Sequence, residues 1–188
     1  MAKLGYVLPQ RTAEAFYDVF RSLDIDGPIL DVGAGTGLTG LALRNCLDQT
    51  EAGAHVDIVG TDISQEMLDV AESKHTTLGN DSNDGSDTLE RKVYFDTFVG
   101  DLTDRLPCDD DVFGGIISSG TFTLGHLGPD ALDEVIRVTR PGGLVGVAIN
   151  GTHWKEAGFE ERIRQLAPHV EDLQIRTLEI YGPDAAPQ

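Results

Sequence analysis

Apolar positions along this chain recur in two rhythms, and the rhythms alternate. Ala15, Phe16, Val19, Phe20 and Leu23 fall at helical spacing, which predicts a helix over residues 12–23. Asp26-Gly27-Pro28 breaks it, and the short apolar run 28–32 reads as a buried strand. Helical spacing returns over 38–47, and a second strand follows at 56–60. Ser64 then N-caps a helix opening with Gln65-Glu66-Met67, with Glu66 and Asp69 among its first turns, where acids are favoured. Strands are predicted at 93–99 and 112–118, and an amphipathic helix at 129–138. Arg140-Pro141-Gly142-Gly143 stops that helix and turns the chain into a fifth strand, 144–149. A helix over 154–166 and a sixth strand over 173–181 complete the pattern. The polar stretch 79–87, GNDSNDGSD, has nothing to pack and reads as a mobile surface insertion without chemistry.

Strands alternating with helices specify βαβ units, hence an α/β fold: a doubly wound, mostly parallel sheet with helices on both faces. Such sheets bind ligands at the carboxyl ends of the strands, where strand order reverses. Asp31–Gly37, Asp62, Asp101 and Ser118–Gly120 all fall at predicted strand ends. A chain of 188 residues suits one domain, with residues 1–25 as an N-terminal cap helix and 26–188 as the core.

Charge narrows the choice of ligand. Thirty-two acidic against fourteen basic side chains give a net charge of −18, and no basic patch offsets it. Such a surface repels phosphate backbones, so no nucleic-acid partner is expected, and a small molecule fits better. The acid excess equally serves solubility. Cys46 and Cys108 are the only cysteines; they suggest a reducing compartment and no metal framework. No apolar run approaches the ~20 residues of a membrane span, and MAKLGYVLPQ lacks a signal-peptide pattern. A cytoplasmic protein without membrane partners is the expectation.

The segment Ile29–Gly37, ILDVGAGTG, carries the most specific signal. Glycines allow φ > 0 and let a ligand meet the backbone without a Cβ in the way. Two ligand classes use such a turn between strand and helix. Gly35-Thr36-Gly37-Leu38-Thr39-Gly40 matches the dinucleotide pattern G-x-G-x-x-G when read literally. Asp31 argues the other way, because a carboxylate beside the turn disfavours a pyrophosphate and favours an ammonium or sulfonium group. Asp62 follows at close to the ~20-residue spacing of ribose-binding acids, and its carboxylate can accept two bonds from a 2′,3′-diol.

From Pro28 to Ile149 the chain resembles the class I S-adenosylmethionine-dependent methyltransferases, on five motifs in order. ILDVGAGTG is similar to their first motif. Val59-Gly60-Thr61-Asp62-Ile63-Ser64 with Met67-Leu68 is similar to the second, and Gly100-Asp101-Leu102 to the adenine-side loop. Phe113–Ser118 is similar to the fourth-strand motif, and Arg137–Gly143 to the turn before strand five. From Ser118 through the RVTRPGGLV segment the chain further resembles the Williams–Beuren-region methyltransferase-like group. The resemblance implies a Rossmann-like methyltransferase fold with S-adenosylmethionine as cofactor. It implies binding by Asp31, Gly33, Ala34, Gly35 and Gly37 at the turn, Asp62 at the ribose, and Asp101 with the Leu102 N–H at the adenine edge. Ile63 and Met67 flank the ring in that reading, although both positions also suit helix packing. Ser118 lies in the fourth-strand motif, and Asp101 also suits a turn cap.

Methyl transfer from a sulfonium needs alignment and exclusion of water more than a catalytic triad, and none is visible. A nitrogen or oxygen acceptor adds a need for a base. Substrate contacts are expected from the Gly-rich loop 121–126, whose His126 is the candidate base. Asn150, His153 and Trp154 are candidates for lining the same opening, and Tyr6 and Tyr17 for closing over the donor, although Tyr17 better suits helix packing. The loop lacks the Asn/Asp-Pro-Pro-aromatic signature of amino methylation. Two departures from the family stand out. Only Gly-Pro-Asp-Ala-Ala-Pro-Gln follows residue 181, too short and Pro-rich for the family's final antiparallel edge strand, which is missing, truncated or supplied from elsewhere. The cap is short, which makes a homodimer with a lid from the second subunit an option. The competing readings are an NAD(P)-dependent oxidoreductase and a non-catalytic protein that binds an adenosyl ligand.

Overall fold

The computed structural model of the protein describes residues 5–78 and 89–182. Helix α1 (Leu8–Phe20) starts a turn earlier than its apolar spacing indicates, because Pro9 is tolerated in the first turn, where its missing N–H has no intrahelical partner to lose. Strand β1 (Ile29–Val32) leads through the glycine turn into α2 (Leu38–Leu47), and a short α3 (Glu51–Ala54) precedes β2 (Ile58–Asp62). Helix α4 (Gln65–Glu72) follows, its N-cap Ser64 accepting from the Met67 N–H at 3.3 Å. The hairpin β3 (His75–Leu78) and β4 (Leu89–Lys92) comes next, then β5 (Asp96–Val99), β6 (Phe113–Phe122), α5 (Ala131–Val138) and β7 (Thr139–Ile149). Helices α6 (Gly151–Ala157) and α7 (Phe159–Leu166) and a 3-10 turn (Ala167–His169) follow β7.

The main sheet has the order β5-β2-β1-β6-β7, and each of its pairings is parallel. The chain winds from β1 out to β5 and then returns to place β6 on the other side of β1, so strand order reverses between β1 and β6. The doubly wound expectation stands. Alternation along β1 divides its side chains between two cores. Ile29 faces Phe16, Leu43, Leu68 and Tyr94, under α1, α2 and α4. Leu30 and Val32 face Phe122, Val135 and Phe159, under α5 to α7. Arg44, buried within α2, donates to the Gly53 and Val56 carbonyls and so fixes the approach to β2.

Besides α1 and the unanticipated α3, four elements differ from the pattern reading. Only 96–99 of the run 93–99 is strand; Val93 and Tyr94 lie in the connection before it and are buried in the core. The antiparallel β3–β4 hairpin went unanticipated, and the insertion expected at 79–87 lies outside the described residues. The helix expected over 154–166 breaks at Gly158, whose φ of 84° ends α6 and begins α7.

The segment 173–181 forms no strand. It joins the N-terminal segment through a Tyr6–Tyr181 bridge and a Val7 N–H to Ile180 carbonyl bond of 3.0 Å. Its apolar residues explain this: Leu173 and Ile175 share one phase, Leu178 and Ile180 the other, so no face stays apolar long enough to pack. Among the described residues the main sheet therefore has no antiparallel member and ends at β7. No helix among them is long and apolar enough to cross a membrane.

Candidate functional site

The turn after β1 has three glycines with positive φ: Gly33 at 65°, Gly35 at 52° and Gly37 at 80°. Their surroundings differ. A Cβ on Gly33 would run into the Thr121 side chain, and one on Gly37 would stand 2.9 Å from the Tyr94 ring and 3.1 Å from Ala71. At Gly35 nothing lies within 4 Å. The pattern is thus two packing glycines around one that opens to the cleft, rather than three cleared for a ligand.

The N–H groups of this turn are largely committed. Ala34 N donates to the Thr61 carbonyl at 2.9 Å and Gly37 N to the Ala34 carbonyl at 2.8 Å. Gly35 N donates to Asp62 Oδ2 at 2.8 Å, while Oδ1 of the same carboxylate accepts from Ser64 N at 3.0 Å. The half-buried Asp62 is thereby aimed at the open glycine, with lone pairs remaining on both oxygens. Beside it Ile63 is 71% and Met67 45% exposed, two apolar side chains facing water at the carboxyl end of β2. Fixed acceptors, apolar walls and an open glycine suit a ligand with a sugar diol and a flat ring. A diphosphate would meet the Asp62 carboxylate here, and the Gly35 N–H that points at the open side is already taken by it.

Asp31 is elsewhere. Strand alternation points it away from the cleft into the α2 side of the core, where it is fully buried. Its Oδ2 accepts from the Tyr94 hydroxyl at 2.7 Å, and its Oδ1 has no hydrogen-bond partner. Burial first, opposed by the Tyr94 bond and the Gly40 N–H and reinforced by the Asp62 charge, raises its pKa to about 7. Burial and the neighbouring Asp31 push the Tyr94 phenol far above its ordinary value, so it stays a donor. Asp31 therefore acts from behind the turn instead of lining the ligand's side, as its place in the motif had indicated.

Across the switch point, Ser118 is fully buried and its hydroxyl donates to the Val32 carbonyl at 2.8 Å, tying β6 to β1. Thr121 adds a 3.3 Å bond to the same carbonyl. The Ser118 hydroxyl is thus structural. Ala34 and Leu102 are also buried, leaving their backbones as the only groups near the cleft. Asp101 Oδ1 accepts from Thr103 N at 2.8 Å and from Thr103 Oγ1 at 2.7 Å, bonds that hold its carboxyl below the usual range. It is a turn cap whose second oxygen remains free.

His126 is exposed, its Nδ1 2.8 Å from Thr123 Oγ1. His153 packs on Phe159 and meets the Leu127 carbonyl through Nε2 at 2.9 Å, Asn150 caps α6, and Trp154 stacks on Phe159. Those three serve packing. Tyr17 packs against the α1–α2 core, whereas Tyr6 is 41% exposed, with its hydroxyl close to Gly120 at the end of β6. Sequence reasoning missed Tyr94, and it named Thr121 only as part of the loop 121–126, without its contact with Gly33. Neither carries a motif, and Tyr94 lies 63 residues from the Asp31 it binds.

Residues 30–147 match the family model described as "Methyltransferase domain". Among curated proteins the chain is 37% identical to the demethylmenaquinone methyltransferase of Clavibacter sepedonicus over 159 residues, covering 81% of this chain and 54% of that protein. It is 28% identical over 155 residues to the demethylmenaquinone methyltransferase of Beutenbergia cavernae, covering 74% of this chain and 58% of that one. The chain thus spans just over half the length of the curated relatives it matches. Among solved structures, a putative S-adenosyl-L-methionine-dependent methyltransferase from Methanococcus maripaludis is 21% identical, with a TM-score of 0.48 over 85% of this chain and 64% of that one.

Proposed function

The chain belongs to the methyltransferase-domain family, and from that premise we propose that it transfers a methyl group from S-adenosylmethionine to a small-molecule acceptor. The observation that carries the choice of donor is the state of the glycine turn. The N–H groups of Ala34, Gly35 and Gly37 are already spent, and the Asp62 carboxylate bonded to Gly35 puts a negative charge where a diphosphate would lie. This favours an adenosyl ligand over the dinucleotide of the oxidoreductase reading.

Asp62 accepts from the ribose hydroxyls with the lone pairs left after its bonds to Gly35 and Ser64. Ile63 and Met67 flank the adenine, and Asp101 uses its uncommitted oxygen at the ring's amino group. Gly35 admits the amino-acid tail, with Gly33, Gly37 and Ala34 shaping the turn around it. When bound, the donor supplies an electrophilic methyl on a sulfonium, so the residues here have only to orient acceptor and donor and exclude water. Where the acceptor must lose a proton, His126 takes it through Nε2, since Thr123 occupies Nδ1.

The name of both curated relatives makes demethylmenaquinone the first acceptor to try. The net charge of −18 argues against nucleic acid as substrate. The two free thiols, Cys46 and Cys108, support a cytoplasmic place of action, and a homodimer remains part of this proposal as a source for a lid. The test is methyl transfer from labelled S-adenosylmethionine to demethylmenaquinone and a panel of small phenols and amines. Transfer to any of them is the expected result. Donor binding without transfer to any would favour the non-catalytic alternative.

A further inference from the structure

Tyr94 lies outside every sequence motif, yet it touches the glycine turn, α2, β1 and β2. Its ring stands 2.9 Å from the Cβ position of Gly37 and 3.1 Å from that of Gly60, and its hydroxyl crowds Gly40. Gly37 ends the glycine turn, Gly40 lies in the first turn of α2, and Gly60 precedes Asp62 by two residues on β2. The phenol donates at 2.7 Å to Asp31, the last polar side chain of β1 before the turn. A side chain serving only as filler has no reason to place its one polar atom on a buried carboxyl whose other oxygen is unpartnered.

We propose that Tyr94 is a positioning residue of the donor site, holding the glycine turn, the Asp62 strand and Asp31 in one register through its ring and hydroxyl. This rests on the methyltransferase reading above. Substituting the hydroxyl alone releases Asp31, and substituting the ring releases the turn from β2. A cation before the turn then couples to Asp31, because a carboxylate behind the turn favours it, and of the donor's two cations the ammonium is the one that S-adenosylhomocysteine retains. The groups facing Asp31 are the Tyr94 hydroxyl, the Gly40 N–H and the Asp62 carboxylate. The first two favour its ionisation and the third opposes it.

The experiment is calorimetric titration of the full chain with S-adenosylhomocysteine between about pH 5.5 and 8.5, a range spanning the Asp31 titration, with melting temperatures recorded alongside. For the wild type, affinity is expected to rise as Asp31 ionises. Tyr94→Phe keeps the ring, so it is expected to lose about three- to tenfold in affinity, as for one hydrogen bond, and to shift the midpoint to higher pH. Asp31→Asn is expected to flatten the profile. Wild-type affinity and midpoint in a folded Tyr94→Phe overturn the proposal. Should that variant not fold, Asp31→Asn decides alone: a flat profile supports the proposal, and a step like the wild type's overturns it. Failure of the wild type to bind at all is a separate result, which overturns the donor reading and this inference with it.

Discussion

Asp31 and Asp62 are both carboxylates at the ends of adjacent strands, and their environments give them opposite work. Asp62 sits half-buried among backbone donors at the cleft, whereas Asp31 is fully enclosed and has a pKa of about 7. Because that pKa is raised, the fold favours neutral Asp31. Its stabilising contribution is complete below the ordinary carboxyl range and is lost as pH rises from about 4 towards 7, on the order of 4 kcal/mol in all. The melting temperature of the wild type minus that of Asp31→Asn should therefore decline over this window; a constant difference would contradict the assignment. Asp62→Ala should weaken S-adenosylhomocysteine binding by about 1–3 kcal/mol, the range for an orphaned polar partner, and unchanged affinity would remove Asp62 from the ribose. Gly35→Val puts a branched side chain at φ 52° in the open side of the turn. It should abolish ligand binding while costing the fold only about 1–2 kcal/mol of left-handed strain. The place of Asp62 at a strand end beside the glycine turn was legible in the sequence. The burial of Asp31 was not, because its partner comes from a connection 63 residues away.

At the scale of elements, the strands of the main sheet were legible, and the segment expected as a sixth strand was not one. β1 is buried along its whole length, and β2 and β6 over most of theirs, and each shows an Ile/Leu/Val pair beside glycine or proline: Ile29-Leu30, Ile58-Val59 and Ile116-Ile117. The segment 173–181 has strand-like composition but slips phase at Thr177, and only its last residues find a backbone partner, in the N-terminal segment. The break at Gly158 was hidden because glycine inside a helical pattern is ambiguous until its φ is known. Its consequence is packing: α7 begins with Phe159, fully buried against Phe122, Trp154 and His153. Phe159→Ala should cost about 3–5 kcal/mol of unfolding free energy in denaturant titration. A loss below about 1 kcal/mol, the scale of a surface change, would contradict the role given to α7 in covering β6.

For the whole molecule, a charge of −18 on 188 residues sets a repulsive background that local ion pairs offset only in part. The best-connected cluster is Arg137 with Glu134 and Asp110, whose bonds hold both carboxyls below their ordinary range and raise the guanidinium further. Screening shortens to about 10 Å at 0.1 M salt, so the melting temperature should rise with sodium chloride, and a fall would show that ion pairs outweigh net repulsion. The same charge bears on the class of ligand, because this surface repels a diphosphate, whereas S-adenosylmethionine carries a net positive charge and S-adenosylhomocysteine carries no net charge. Calorimetry with S-adenosylhomocysteine and with NAD, run on the unmodified chain under one set of conditions, tests that choice most directly. Saturable binding of S-adenosylhomocysteine at one site per chain, with no heat from NAD, is the result predicted. Tight binding of NAD with no response to S-adenosylhomocysteine would contradict it.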